Sequence, residues 1–145
     1  MTATKVQRLL EDVHVGDEVP AVEFPLPLYR LVVAAGGNRD FNSIHHNRSY
    51  ATHSGAPDAY ASTFFLMGTW ERVVRDYIGV GGTIRAISGF RMRKFNLVGS
   101  VMVVSGRVVD VQSDGLVVLE LTSRVGGEVT VGPGRVEVTL PRGGG

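Results

Sequence analysis

Hydrophobic and polar positions divide the 145-residue chain into three zones, of which the first is mixed. Residues 19–27 predict a short strand with prolines toward its ends, and the apolar residues 28–35 predict a short helix. Gly36 and Gly37 follow and indicate that this helix stops there. Residues 38–57 are rich in Asn, Asp, Ser, His and Gly, which predicts a polar loop of the kind that often carries function.

The second zone predicts one long helix over residues 58–78. Asp58 follows a proline and is a suitable N-cap, and Gly79 is a suitable stop. The first half of the segment is apolar nearly all round, whereas the second half sets apolar residues opposite charged ones. This pattern predicts a helix that is wrapped at one end and half exposed at the other.

The third zone predicts β-strands over residues 83–95, 100–111, 116–125 and 128–140. Asp114-Gly115 and Gly126-Gly127 are strong hairpin signals, so an antiparallel meander is the simplest interpretation. Residues 132–134, Gly-Pro-Gly, interrupt the last strand and predict a bulge or bend. The glycine-rich tail, residues 142–145, is expected to be disordered.

The order of these elements predicts the α+β class. We expect residues 1–145 to form a single domain in which a curved antiparallel sheet wraps around one long central helix. The free sheet edge and the exposed half of the helix need a cover, so a side-by-side dimer is expected.

Composition removes several classes of function. Lys and Arg number 15 and Asp and Glu 14, a near balance that gives no electrostatic case for a nucleic acid or an anionic membrane. The chain has no cysteine, which excludes disulfides and thiolate nucleophiles and favours a cytoplasmic location. No apolar run approaches the roughly 18 residues of a membrane span, and the first residues do not resemble a secretory signal.

The residues best suited to chemistry lie in the polar loop, where Asp40 and His45 are five positions apart. Imidazole titrates near neutral pH and a neighbouring carboxylate tunes it, so such a pair can divide acid and base roles. The alternative is structural: an Asx turn at Asp40 or Asn42, with histidines on the surface.

The pattern Asp-x-Asn-x-Ile-His, between a short helix and a long apolar helix that leads into antiparallel strands, resembles the signature of MaoC-like (R)-specific enoyl-CoA hydratases. The resemblance implies a hot-dog fold and reversible hydration of a trans-2-enoyl-CoA to a 3-hydroxyacyl-CoA. It implies Asp40 and His45 as catalytic residues, with Asn42 as their positioning neighbour. It also implies an acyl-CoA substrate and no cofactor apart from the CoA of that substrate.

Residues 38–47 and 74–79 are similar to the small catalytic subunits of actinobacterial steroid side-chain enoyl-CoA hydratases. This narrower resemblance implies a bulky steroid side-chain thioester, which needs an open groove. It also implies a heteromer with a second, non-identical hot-dog subunit, and a homodimer is the alternative.

Several positions depart from the family pattern. Ser43 replaces a proline, and Arg39 replaces a glycine, where it either pairs with Asp40 or points into solvent. Ala61, Ser62 and Thr63 replace the His-Gly-Met that begins the central helix in the family. The backbone N–H groups of these three residues remain candidates for binding the thioester oxygen, because a helix N-terminus stabilises a developing oxyanion whatever its side chains are.

Residues 89–100 resemble the Arg-rich strand and turn of the family, with Gly-Ser in place of the usual Gly-Asp. Arg91, Arg93 and Lys94 are therefore candidates for contacts with CoA phosphates. The alternative is that these charges alternate outward on an edge strand and limit aggregation.

Other chemistries are less well supported. His45, His46 and His53 suggest a metal, but neighbouring histidines diverge and no Cys or Glu completes a four-ligand set, so no metal is expected. Ser43 or Ser62 with the Asp/His pair suggests a hydrolytic triad, but no Gly-x-Ser-x-Gly elbow is present. Two other functions remain open: a non-catalytic acyl-CoA-binding or assembly subunit, and an acyl-CoA thioesterase on the same fold.

Overall fold

The computed structural model describes residues 7–144. Short 3₁₀ turns lie at Leu10–Asp12 and Ser43–His45, and no helix in the described residues is long and apolar enough to span a membrane. The helices and strands, in chain order, are β1 Glu18–Pro25, α1 Leu28–Gly37, α2 Arg48–His53, α3 Thr63–Ile78, β2 Thr83–Ser88, β3 Val101–Val111, β4 Leu116–Val125 and β5 Glu128–Thr139.

The described residues form one five-stranded antiparallel sheet in the order β1-β3-β4-β5-β2. Strands β3, β4 and β5 form the predicted meander, with turns at Asp114-Gly115 and Gly126-Gly127. The meander does not extend to β2, which pairs with β5 and forms the edge opposite β1. A simple four-strand meander was therefore the wrong interpretation, because β2 is separated from β3 by an irregular segment that crosses the sheet.

The core lies between α3 and the inner face of the sheet. Alternate residues of β3, β4 and β5 point inward, as the period of two requires, and meet a fully buried stripe on α3. The centre of that stripe is Trp70, the only tryptophan of the chain, whose indole Nε1 donates to Ser123 Oγ at 2.8 Å. Its ring meets Phe90 edge-on at a centroid distance of 4.9 Å.

The long helix begins five residues later than predicted, at Thr63. Residues 59–61 are extended because they pair with residues 96–98: Ala61 N–H donates to Asn96 O at 3.0 Å, and Val98 N–H to Ala59 O at 2.8 Å. Ser62 is the N-cap and accepts from Phe65 N–H, whereas Asp58 binds Arg48 at 2.6 Å. The sequence pattern missed this boundary because the pairing is non-local.

The first helix and the polar loop also differ from expectation. α1 continues through Gly36 and Gly37, and the chain turns at Arg39, whose φ is +56°. Within residues 38–57, a 3₁₀ turn and α2 replace a continuous loop, because the side chains of Asn42 and Asn47 cap them.

The strand predicted over residues 83–95 ends at Ser88. Beyond it, isolated bridges join Met92 to Val131 and Leu97 to Tyr60. The predicted bulge at residues 132–134 is confirmed, because the β4–β5 register slips between the pairs Leu121–Gly134 and Ser123–Val131. At the C-terminal tail, Gly143 N–H donates to Glu11 at 3.2 Å, and Gly145 lies outside the described residues.

Candidate active site

Asp40 and His45 meet side by side. Asp40 Oδ2 lies 3.4 Å from His45 Nε2, with the carboxylate side chain about one quarter exposed and the imidazole almost fully buried. The fold thus brings together the two residues that the loop motif singles out. Two polar atoms at this separation are close enough for one water molecule to contact both.

The end of α1 places Asp40. Arg39 takes the left-handed conformation, and this turn lets Asp40 N–H donate to Ala35 O at 2.9 Å. The Arg39 side chain is exposed and makes no ion pair within residues 7–144, so of its two predicted orientations the structure has the one toward solvent. The carboxylate of Asp40 is therefore held by backbone geometry at the helix end.

Two contacts place His45. Asn42 Oδ1 accepts from Ile44 N–H at 3.2 Å and caps the 3₁₀ turn that carries the histidine. His45 Nδ1 lies 2.8 Å from Tyr60 O. A carbonyl only accepts, so Nδ1 carries the hydrogen, and in the neutral ring Nε2 has the free lone pair facing Asp40.

The motif did not indicate Tyr60 or Phe95. The Tyr60 ring meets His45 edge-on at 5.2 Å and packs on Phe95 at 4.5 Å. Burial, and to a smaller extent the charge of Asp40, raises the pKa of the Tyr60 phenol. No local signal marks either residue, because Tyr60 lay inside the predicted helix and its partner is 35 positions away.

One of the predicted backbone donors at the start of α3 is already engaged. Ala61 N–H already donates to Asn96 O, so it is not available to a thioester oxygen. The Ser62 hydroxyl is occupied by Phe65 N–H, and the Thr63 hydroxyl faces Met92 Sδ at 3.7 Å. The Ser62 N–H has no backbone acceptor within the described residues, and the first N–H groups of a helix have no intrahelical acceptor, so the N–H groups of Ser62, Thr63 and Phe64 remain candidates.

The basic residues of segment 91–94 differ in whether their side chains already have a partner. Arg93 Nε donates to Gly132 O, and Lys94 Nζ pairs with Glu128 at 2.5 Å. Arg91 is exposed and has no ion-pair partner in the described part of the chain. Arg91 is thus the member of this set that is most available to a phosphate.

The other histidines lie apart from the Asp/His pair. His53 Nδ1 contacts Ser49 O at 2.7 Å on α2, and His46 Nδ1 is buried without a hydrogen-bond partner. Within residues 7–144, no three His, Asp or Glu side chains cluster as metal ligands would.

Similarity to a characterised protein decides the family. No protein-family model matches the sequence. The chain is 30% identical over 94 residues to the 3-oxo-4,17-pregnadiene-20-carboxyl-CoA hydratase beta subunit of Mycobacterium tuberculosis, covering 65% of this chain and 71% of that protein. The chain belongs to the MaoC-like enoyl-CoA hydratase/dehydratase family.

Solved structures show the hot-dog fold of this MaoC-like chain. A chain of the ChsH1-ChsH2 complex from Mycobacterium tuberculosis superimposes with a TM-score of 0.83 and 27% identity, covering 88% of this chain and 98% of that one. The (R)-hydratase from A. caviae superimposes with a TM-score of 0.83 and 18% identity, covering 90% and 99%. The α+β, hot-dog prediction is confirmed.

The MaoC-like chain has an apolar groove of about 690 Å³ between α1 and α3, here called the α1–α3 groove. Its α1 wall ends at Gly37 and Asn38, next to the turn that carries Asp40. Phe64 and Gly68 line it from α3. Although Phe64 belongs to the half of the predicted helix that is apolar nearly all round, 63% of this residue is exposed in the groove wall.

Proposed function

We propose that Asp40 and His45 catalyse the reversible addition of water to a trans-2-enoyl-CoA, giving a 3-hydroxyacyl-CoA. The observation that carries this proposal is the 3.4 Å approach of Asp40 Oδ2 to His45 Nε2, with Nδ1 held by the Tyr60 carbonyl. Family membership supports hydration as the reaction.

The chemical step balances within this pair. A water molecule held between the two side chains attacks C3, and the pair takes one of its protons as the C3–O bond forms. The pair then returns a proton to C2, so one water is added and the site regains its starting protonation state. Addition of water does not change the overall oxidation level, so the step as written uses no redox cofactor.

Negative charge moves onto the thioester oxygen during the attack. The N–H groups of Ser62, Thr63 and Phe64 have no intrahelical acceptor and lie at the positive end of the α3 dipole. Donors of this kind typically contribute about 3–4 kcal/mol to stabilising an oxyanion. We assign the oxygen to these groups, and the Ala61 N–H to the pairing that fixes the segment.

The substrate we propose is a bulky steroid side-chain CoA thioester. The name of the Mycobacterium tuberculosis relative specifies such a compound, and the α1–α3 groove beside Asp40 is apolar. We propose that Arg91, whose side chain is exposed, contacts a phosphate of the CoA moiety.

The assembly we propose is a dimer or a heteromer with a second hot-dog subunit. Strands β1 and β2 are the edges of the described sheet, and Phe41 and Val80, which do not line the α1–α3 groove, are each more than 70% exposed. Among the structural neighbours, two are complexes from Mycobacterium tuberculosis: ChsH1-ChsH2, and HadBC, a 3R-hydroxyacyl-ACP dehydratase. Exposed edges and apolar side chains are what such a partner covers.

The test compares Asp40→Asn and His45→Ala with wild type, using crotonyl-CoA and a steroidal enoyl-CoA, alone and with a candidate partner subunit. Loss of the enoyl-thioester absorbance reports hydration, and a thiol reagent reports free CoA. We expect absorbance loss that depends on both residues, without CoA release. His53→Ala is the matched control, because that imidazole is exposed and contacts a backbone carbonyl on α2.

Three results would contradict the proposal. Full activity in either variant would exclude this catalytic pair. Release of free CoA would identify a thioesterase. Tight binding of acyl-CoA without turnover, even with the partner present, would identify a non-catalytic subunit.

A further inference from the structure

The α1–α3 groove extends to the end of α1 from which the chain turns to Asp40. Asn38 lines the groove two residues before Asp40, and Asp40 is tied to the same helix end through Ala35 O. Its volume of about 690 Å³ lies within the range of roughly 300–1,000 Å³ that is typical of small-molecule sites. The groove is thus the apolar space at the helix end that places Asp40.

Gly68 lines this groove from the interior of α3. Its φ is not positive, and a Cβ added there would meet no atom within 4 Å. Neither the backbone conformation nor close packing requires glycine at this position. Glycine is less favourable in a helix interior than any residue except proline, so Gly68 lowers the stability of the helix. Its lack of a side chain leaves open space in the groove.

Gly37, on the facing helix α1, likewise leaves open space in the groove. It lies at the end of α1, lines the same groove, and has open space where a Cβ would stand. Two side chains are thus missing from opposite walls of the groove. Larger residues at these positions would narrow the space without straining the fold.

The two guanidinium groups of the groove are already engaged. Arg30 Nη1 donates to Pro25 O at 2.8 Å, and Arg72 Nε pairs with Asp76 at 2.9 Å. The remaining walls are mainly apolar, with Phe24, Val33 and Phe65 among them. The groove therefore suits an uncharged, apolar occupant better than an anion.

We propose that the α1–α3 groove holds the acyl group of the thioester, and that the absent side chains at Gly68 and Gly37 set the width that admits a bulky ring system. This inference rests on the proposed function, because it places the acyl group next to Asp40 and His45. It assigns the two glycines as specificity-determining positions.

The experiment measures binding separately from turnover. Saturated thioesters cannot be hydrated, so calorimetric titration with butyryl-CoA and with the CoA thioester of a saturated steroid acid measures binding without turnover, and the difference between the two reports the site of the acyl group. We expect Gly68→Leu and Gly37→Leu to weaken binding of the steroid thioester by about 10- to 200-fold and to leave butyryl-CoA within about twofold. The matched control is Gly36→Leu, which has open space on α1 but does not line the groove.

Thermal unfolding and sedimentation accompany each titration. A raised or unchanged Tm in Gly68→Leu, together with selective loss of the steroid thioester, supports the inference. Equal binding of both thioesters by wild type and variants would overturn it. A change of oligomeric state without a change in thioester binding would also overturn it and identify the groove as a subunit interface.

The two proposals fail differently. Selective, Gly68-dependent binding of the steroid thioester without hydration of any enoyl-CoA overturns the proposed catalysis and supports the groove assignment. Hydration of crotonyl-CoA that depends on Asp40, with steroid thioester binding indifferent to Gly68 and Gly37, overturns the groove assignment and supports the catalysis.

Discussion

The two halves of α3 are both rich in apolar residues but differ in their surroundings. In the second half, Trp70, Val73 and Ile78 are at most 1% exposed and pack against the sheet. In the first half, Phe64 is 63% exposed and Gly68 faces the groove. The expected half exposure of the second half is confirmed, because Glu71 and Arg72 are exposed, whereas the expected wrapping of the first half is wrong. Apolar residues at the first half are left for a ligand or a partner to cover.

The largest effect we expect is on the rate of turnover. Asp40→Asn removes the carboxylate of the proposed catalytic pair, and we expect turnover to fall by about 10²- to 10⁴-fold, the range for one acid–base group. Thermal unfolding should be nearly unchanged, because the carboxylate is partly exposed and its backbone N–H bond remains. Steady-state kinetics with crotonyl-CoA tests this. Asp110→Asn, at an exposed carboxylate on β3, is the control.

The second effect is on stability and belongs to the buried half. Ile78→Ala opens a cavity at a fully buried site, so we expect a loss of about 2–5 kcal/mol in the free energy of unfolding. Phe64→Ala, at the exposed end of the same helix, should cost less than about 1 kcal/mol despite the larger side chain removed. Urea denaturation of both variants measures this difference. Equal losses would show that the first half is packed as tightly as the second.

A smaller effect compares two glycines. An added Cβ at Gly106 in β3 would lie 2.4 Å from Glu120 O, whereas at Gly68 it meets nothing within 4 Å. We expect Gly106→Ala to destabilise the protein by about 1–3 kcal/mol. Gly68→Ala should stabilise it by up to about 1 kcal/mol through helix propensity. Urea denaturation of the two variants measures these changes. A destabilised Gly68→Ala would show that the groove is closed by contacts to that glycine.

The smallest effect is on the titration of Tyr60. Burial and, second, the Asp40 carboxylate raise the pKa of its phenol above the usual value of about 10. Asp40→Asn should lower this pKa part of the way, whereas Asp110→Asn should not. Above pH ~10 the unfolded chain loses this proton before the folded one does, so the stability associated with the neutral phenol declines as pH rises. Ultraviolet titration measures the shift, with Tyr60→Phe identifying the signal.

Local patterns predicted the parts of this molecule that depend on local interactions. Strands β3, β4 and β5 followed from alternation and glycine turns, with boundaries within a residue of those observed. The Asp/His pair followed from a motif contained in one loop. The start of α3, the position of β2 and the roles of Tyr60 and Phe95 depend on pairing between distant segments, which no local pattern encodes.

The sequence therefore predicted the loop residues of the candidate site but not the main-chain contacts that hold them. The imidazole tautomer follows from Tyr60 O, and the engagement of the Ala61 N–H follows from Asn96 O. Both acceptors are main-chain atoms whose side-chain identity does not matter to the contact. Sequence comparison of side chains has no means of detecting such interactions.

Trp70 gives the molecule an intrinsic optical reporter. It is the only tryptophan of the chain, it lies at the boundary between the exposed and buried halves of α3, and its indole N–H is bound to Ser123 on β4. Its emission therefore has one source, with a blue-shifted maximum expected while helix and sheet remain docked. Residues two positions apart on a helix point in different directions, so Trp70 faces the sheet while Gly68 lines the groove, and its emission reports whether a substitution in the groove disturbs the docking of helix and sheet.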